Sequence, residues 1–185
     1  MELKTPEKEK VLKRKNFLEE IRKANSLEYV TEWGDPEKIG VSKKKSKVKK
    51  GKKAKGAGGR FELKVRKDLE EKEWIVDKWS NNVDLDEMKI IPAKRKFNPF
   101  AKVMTIGTGF PDFIAFQHME EGKYKIIGVE VKMNGTLSKI EKEKCVWYLN
   151  KGIFSEIWVA KKVKEGRRVV IDYIDFVEKY KKLFD

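Results

Sequence analysis

Two stretches decide the fold: Gly109-Phe110-Pro111-Asp112-Phe113-Ile114-Ala115-Phe116 and, after a polar interval, Tyr124-Lys125-Ile126-Ile127-Gly128-Val129-Glu130-Val131-Lys132. Both are rich in β-branched and aromatic residues. The interval His118–Lys123 is polar and contains Gly122, so the sequence predicts a β-hairpin of strands Phe110–Phe116 and Tyr124–Lys132. A turn centred near Glu121 sets Asp112 opposite Glu130. Glu130 and Lys132 stand two residues apart on one strand and so point to the same face. Two carboxylates and one ammonium then share one end of the hairpin.

Upstream of the hairpin, Phe61, Val65 and Leu69 recur every four residues and mark one face of a helix running to about Lys72. Trp74–Val83 reads as a strand, Met88–Pro92 as a short extended piece and Lys94–Lys102 as a basic loop, with Gly107-Thr108-Gly109 as a breaker. Downstream, Ser138 and Glu141 have the spacing of a capping box, and Gly152 sits where a helix stops. Phe154–Ala160 and Val169–Tyr173 read as strands, and Asp175 caps a last short helix through Phe184. The order is helix, three strands, helix, two strands, helix: an α/β sandwich around a mixed sheet, spanning residues 60–185.

Before that domain, Thr5-Pro6-Glu7 reads as a helix start, with a thin apolar stripe of Val11, Leu18 and Ile21 as far as Ala24. Residues 1–42 are expected to form a helical, partly disordered extension. Lys43–Lys55 holds nine lysines in 13 residues. Charges at this density repel and bury no core, so residues 43–59, ending in the joint Ala54–Gly59, are expected to be a flexible basic linker.

The charge is unevenly spread. Residues 1–60 carry 19 Lys and Arg against 9 Asp and Glu, whereas residues 61–185 carry 25 against 21. Such a balance favours polyanions: DNA, RNA or an anionic membrane surface. No apolar run is long enough to span a bilayer. The N-terminal MELKTPEKEK is too charged for a secretion signal, and an intracellular, cytoplasmic protein is expected. Cys145 is the single cysteine and His118 the single histidine, which excludes an internal disulfide and a Cys/His zinc cluster.

Facing carboxylates repel unless a cation neutralises them, and a hard divalent ion does so with few carboxylates while keeping several waters. Asp112, Glu130 and the Val131 carbonyl are therefore candidate ligands for Mg²⁺ or Mn²⁺. Lys132 adds a positive charge where a phosphorane gains negative charge, so the set suits phosphodiester hydrolysis. A plain ion pair between Glu130 and Lys132 is the simpler alternative, but a charge within Ile126-Ile127-Gly128-Val129 and Val131 is costly without a purpose. The lysines Lys43, Lys44, Lys45, Lys47, Lys49, Lys50, Lys52, Lys53 and Lys55, with Arg60, are candidate phosphate contacts that read no sequence. Lys94, Arg95 and Lys96 extend that path, and Trp79 is a candidate for base stacking.

Pro111-Asp112 followed by Glu130-Val131-Lys132 resembles the signature of the PD-(D/E)xK nuclease superfamily. Gly59-Arg60-Phe61-Glu62 is similar to the opening helix of archaeal Holliday-junction resolvases, and by that resemblance Glu62 is a further catalytic and metal-binding residue. Gly135-Thr136-Leu137-Ser138 and the helix through Leu149 resemble the VRR-NUC branch, where a Gln usually stands on that helix. The matching place here holds Glu141, which the capping box already accounts for. The resemblance covers about Arg60–Lys161. It implies a restriction-endonuclease-like core, metal-dependent endonuclease activity on branched or flapped DNA, and allows a homodimer. A DNA-binding module that no longer cuts and an RNA-directed nuclease are the alternatives.

Overall fold

The structure, a computed structural model, describes residues 6–30, 43–98, 103–106 and 109–184. Thr5, Trp33, Lys102, Gly107 and Thr108 lie outside them. The chain divides into two compact units, one ending at Ala57 and the other running from Gly58 to Asp185.

In the first unit, α1 (Pro6–Asn25) starts on a proline, whose fixed φ suits the first helical position. Val11, Leu18 and Ile21 all remain exposed, so the thin stripe is left uncovered. A two-residue strand β1 (Tyr29–Val30) pairs antiparallel with β2 (Lys43–Lys44). The Lys45 amide donates to the Glu28 carbonyl at 2.8 Å and so starts α2 (Lys45–Glu71). This corrects the expectation of a flexible linker, because residues 45–59 are helical. Lysine and alanine are good helix formers and no proline interrupts them, so helical hydrogen bonds form without a core beneath them. No residue of 45–57 is buried.

In the second unit, the remainder of α2 buries Phe61, Val65 and Leu69, the spacing the sequence predicts. They pack on Val76, Phe113, Ala115, Ile127, Val129 and Ala160, which line one face of a five-stranded mixed sheet. Its strands are β3 (Ile75–Lys78), β8 (Phe113–Glu120), β9 (Lys123–Lys132), β10 (Glu156–Glu165) and β11 (Arg168–Asp175), in the order β11-β10-β9-β8-β3. Between β3 and β8 the chain forms two small hairpins: β4 (Asn81–Asp84) with β5 (Lys89–Pro92), and β6 (Arg95–Asn98) with β7 (Val103–Ile106). Among the described strands of this sheet β9 and β10 pair in parallel, joined by α3 (Lys139–Asn150), and the other neighbours are antiparallel.

Alternate residues carry the second face of the sheet. Ile114 and Ile126 join Leu137, Cys145, Trp147, Tyr148, Phe154, Ile157, Val159 and Phe176, a cluster built around α3 and α4 (Phe176–Lys179). Burying each large aliphatic side chain of these clusters is worth roughly 1.5–3 kcal/mol. The capping box of α3 is complete in both directions, and Asp175 caps α4 by accepting from the Glu178 amide. A short 3₁₀ turn, Lys181–Leu183, follows.

Two sequence expectations are corrected in the segment between β3 and β8. The strand expected over Trp74–Val83 splits after Lys78: the Trp79 amide makes a last in-register bond to the Asp112 carbonyl, and beyond it Asn81–Asp84 pairs locally with Lys89–Pro92. The expected loop at Lys94–Lys102 contains a strand, since Phe97 pairs with Met104 in a register that needs no core.

Candidate active site

The hairpin of β8 and β9 has the predicted register: Phe113 pairs with Val129, Ala115 with Ile127 and His118 with Tyr124. One step beyond the last pair, Asp112 and Glu130 interlock. The Asp112 amide donates to Glu130 Oε2 at 3.1 Å, and the Val131 amide donates to Asp112 Oδ2 at 2.9 Å. Each carboxylate thus accepts a backbone N–H from the partner segment, which fixes both side chains at the end of the ladder.

The approach to Asp112 depends on two glycines. A Cβ on Gly109 would run into the Trp79 and Asn81 carbonyl oxygens, and a Cβ on Gly128 would come within 2.9 Å of the Pro111 ring. Without side chains at these positions, buried Pro111 seats over Gly128 and the Phe110 amide reaches the Asn81 carbonyl at 2.9 Å.

Glu130 is the only buried charged residue among the described ones, with 4% of its surface exposed. Burial, and next the Asp112 carboxylate, push its pKa up to about 8. Asp112 is also raised, first by burial and then by Glu62, against the pull of the Val131 amide and of Lys132 and Lys78. Lys132 Nζ lies 2.9 Å from Glu130 Oε1 and 2.7 Å from Glu141 Oε1. Burial opposes its charge, but the hydrogen bond to Glu141 and the field of Glu130 outweigh it and raise its pKa. Glu141 is lowered despite its own burial, because Lys132 and the Ser138 amide both hold its carboxylate.

Glu141 is therefore a site residue that the sequence reading set aside. One oxygen completes the cap by accepting from the Ser138 amide at 2.7 Å, and the other holds Lys132. The capping box explains only one of its two oxygens; its place on the helix that resembles VRR-NUC was the available signal. Lys78 was also missed. It pairs with Phe113 across the β3–β8 ladder and its charge acts on Asp112, a proximity visible only once β3 has its register.

Glu62 behaves differently. It stands on α2, the helix covering the opposite face of the sheet from α3, and acts on Asp112 as a raising charge. Among the described residues no three His, Cys, Asp or Glu side chains are gathered to hold a metal. The carboxylate set at the hairpin end is thus Asp112 with Glu130, and both offer the hard oxygens that Mg²⁺ accepts with water completing its shell. Two partly desolvated acids beside one lysine, itself shared with Glu141, leave the carboxylates short of positive charge.

Trp79 is not free to stack on a base: its indole donates to the Tyr148 hydroxyl at 3.1 Å and its ring packs edge-on to Phe154. Cys145 is fully buried, as expected of a small hydrophobe. A groove of about 600 Å³ runs along the outer side of α3 between Leu85, Met88, Val146, Trp147 and Leu183, and no residue of the acid-lysine site lines it. Among the described residues, no helix is long and apolar enough to cross a membrane.

Compared with protein-family models, with curated proteins and with solved structures, the chain finds no match in any of the three.

Proposed function

We propose that the second unit is a divalent-metal-dependent nuclease that hydrolyses phosphodiester bonds in DNA, on a restriction-endonuclease-like core. The observation that carries this reading is the interlock of Asp112 with buried Glu130 beside Lys132. A carboxylate pair held partly out of water, with a pKa pushed up to about 8 on one member, supports this reading, because perturbed carboxylates cluster at functional sites.

Asp112 and Glu130 are the residues that would hold the cation, with Glu62 adding negative charge nearby. Mg²⁺ or Mn²⁺ at this place supplies Lewis acidity toward a phosphate oxygen and makes water a better nucleophile at neutral pH. Lys132 presents a fixed ammonium where negative charge builds on the phosphorus oxygens, and Glu141 keeps that ammonium from swinging away. Nothing in the site pairs a nucleophilic side chain with a base, so direct attack by water is the route this set of residues serves.

The test is cleavage of linear, flapped and four-way DNA, and of RNA, by the full chain with Mg²⁺ and with Mn²⁺. Wild type is expected to cut DNA, whereas Asp112→Asn and Glu130→Gln are expected to lose about 100- to 1000-fold in rate, the scale of removing one group from a charge-stabilising site. A wild type that cuts none of these substrates, or variants that cut as fast, overturn the proposal. Cleavage confined to RNA moves it to the RNA-directed alternative.

One observation favours a second reading. Among the described residues the pair Asp112 and Glu130 gathers no third ligating side chain, and such a pair also suits a DNA-binding module on a nuclease-like fold that does not cut. Calorimetric titration with Mn²⁺ separates the two, since the module binds none at Asp112 and Glu130.

A further inference from the structure

The half of α2 from Lys45 to Ala57 has an unusual make-up. It carries Lys45, Lys47, Lys49, Lys50, Lys52, Lys53 and Lys55, all exposed, and no acid. None of these lysines forms an ion pair among the described residues. Successive helical residues turn by about 100°. Lys45, Lys49 and Lys52 therefore point to one side, Lys47 and Lys50 to the opposite side, and Lys53 and Lys55 to the two flanks. The residues between them are Ser46, Val48, Gly51, Ala54, Gly56 and Ala57, all small. The result is a slim rod, charged on every side, with about 20 Å of length at 1.5 Å per residue; at its start Lys47 and Val48 line a small cavity with Lys23 and Tyr29.

Such a rod is poorly served by a flat polyanionic surface. Laid on one, it would neutralise one side and leave the lysines of the other side repelling each other. Lys45 with Lys49 and Lys49 with Lys53 are like-charge neighbours one helical turn apart, and each such pair opposes the helix when nothing neutralises it. A channel with phosphates on both walls serves it better. The major groove of B-form DNA is about 12 Å wide and admits one helix, whose own diameter is about 10–12 Å. The major groove of A-form RNA is too narrow and deep for side chains to read.

We infer that residues 45–57 enter the major groove of double-stranded DNA as a helical rod, contacting the phosphates of both walls and reading no sequence. The small residues let the backbone sink between the walls, and the lysines reach up to them. This deepens the DNA reading given above but does not depend on hydrolysis, because it concerns only how the chain grips the duplex.

The experiment uses the full chain in EDTA, so that no cleavage intervenes. Its probes are a DNA duplex, an RNA duplex of the same sequence, one DNA strand alone, and vesicles of phosphatidylserine and phosphatidylcholine. The DNA duplex is expected to bind about ten-fold or more tighter than the other probes and to gain protection of guanine N7, which faces the major groove, from methylation. Ala54→Trp keeps every charge and changes an exposed residue. It is expected to abolish the N7 protection and to weaken duplex binding about ten-fold by blocking entry to the groove. Lys49→Gln is expected to lower the slope of log affinity against log salt by about 0.9, the share of one phosphate contact. Equal binding to RNA duplex, single strand or vesicles, unprotected N7, or an Ala54→Trp variant that binds like wild type would each overturn the inference.

Discussion

The two halves of α2 are one helix held together for different reasons. From Gly58 to Glu71, Phe61, Val65 and Leu69 are buried against the sheet, and the helix is held by packing. From Lys45 to Ala57 nothing is buried, and the helix rests mainly on backbone hydrogen bonds and the propensity of lysine and alanine, with Lys47 and Val48 bordering a small cavity beside Lys23 and Tyr29. Solvent conditions should therefore act on the two halves through different levers. The packed half answers to volume and the unit it belongs to answers also to the titration of Asp112 and Glu130; the lysine half answers to ionic strength.

The largest difference is expected from deleting side chains in each half. Leu69→Ala empties a fully buried position and is expected to cost about 2–5 kcal/mol of stability. Lys53→Ala, in the exposed half, should change stability by less than about 0.5 kcal/mol. Urea unfolding followed by tryptophan fluorescence measures both, since the tryptophans Trp74 and Trp147 sit in the packed clusters. A comparable loss from Lys53→Ala would mean that the lysine half is held by tertiary contacts after all.

A second lever is pH, and it should act on the packed unit. Glu130 in the folded chain titrates near 8, above the ordinary carboxyl value of 4.5. Below pH 4.5 both folded and unfolded chains carry the proton, and above about 8 neither does. Between these values the folded chain binds more protons than the unfolded one, so metal-free stability falls as pH rises, by at most about 1.4 kcal/mol per pH unit for one group. Asp112 is raised as well and slopes the same way. Glu130→Gln removes the larger contribution, so the variant should lose less stability than wild type between pH 5 and pH 8. Thermal unfolding across that range in EDTA measures it, and a wild type whose stability rises over the window would show that Glu130 is held charged.

How much of this was legible beforehand follows the same division. Period-four spacing at Phe61, Val65 and Leu69 and alternation in β8 and β9 are signatures of burial, and they located the helix face, the hairpin and its register. The register in turn located Asp112, Glu130 and Lys132. Sequence spacing reached only local geometry, however. It could not show that Glu141 uses its second oxygen on Lys132, nor that β3 brings Lys78 beside Asp112, because both depend on pairing across distant segments. It could not place Glu62, whose helix covers the other face of the sheet. Repulsion among the lysines, taken without the helix propensity that opposes it, points to a flexible linker over residues 43–59, whereas 45–59 are helical.

The smallest effect tests that last balance directly. In the lysine half, the pairs Lys45–Lys49, Lys49–Lys53, Lys47–Lys50, Lys49–Lys52, Lys50–Lys53 and Lys52–Lys55 each oppose the helix by roughly 0.2–0.5 kcal/mol, and Gly51 and Gly56 each oppose it by about 1 kcal/mol relative to alanine. At 1 M salt the Debye length falls to about 3 Å, which screens the lysine pairs but leaves the glycine cost in place. Helicity measured by circular dichroism should thus rise slightly with added salt, and rise again in Gly51→Ala, where a Cβ meets nothing within 4 Å. Added salt should at the same time weaken DNA binding, because it competes for the phosphates. Opposite responses of helicity and affinity to one variable distinguish a rod strained by its own charge from a helix held by packing, whose helicity salt leaves unchanged. If salt and Gly51→Ala both leave the helicity unchanged, the two halves of α2 are supported in the same way.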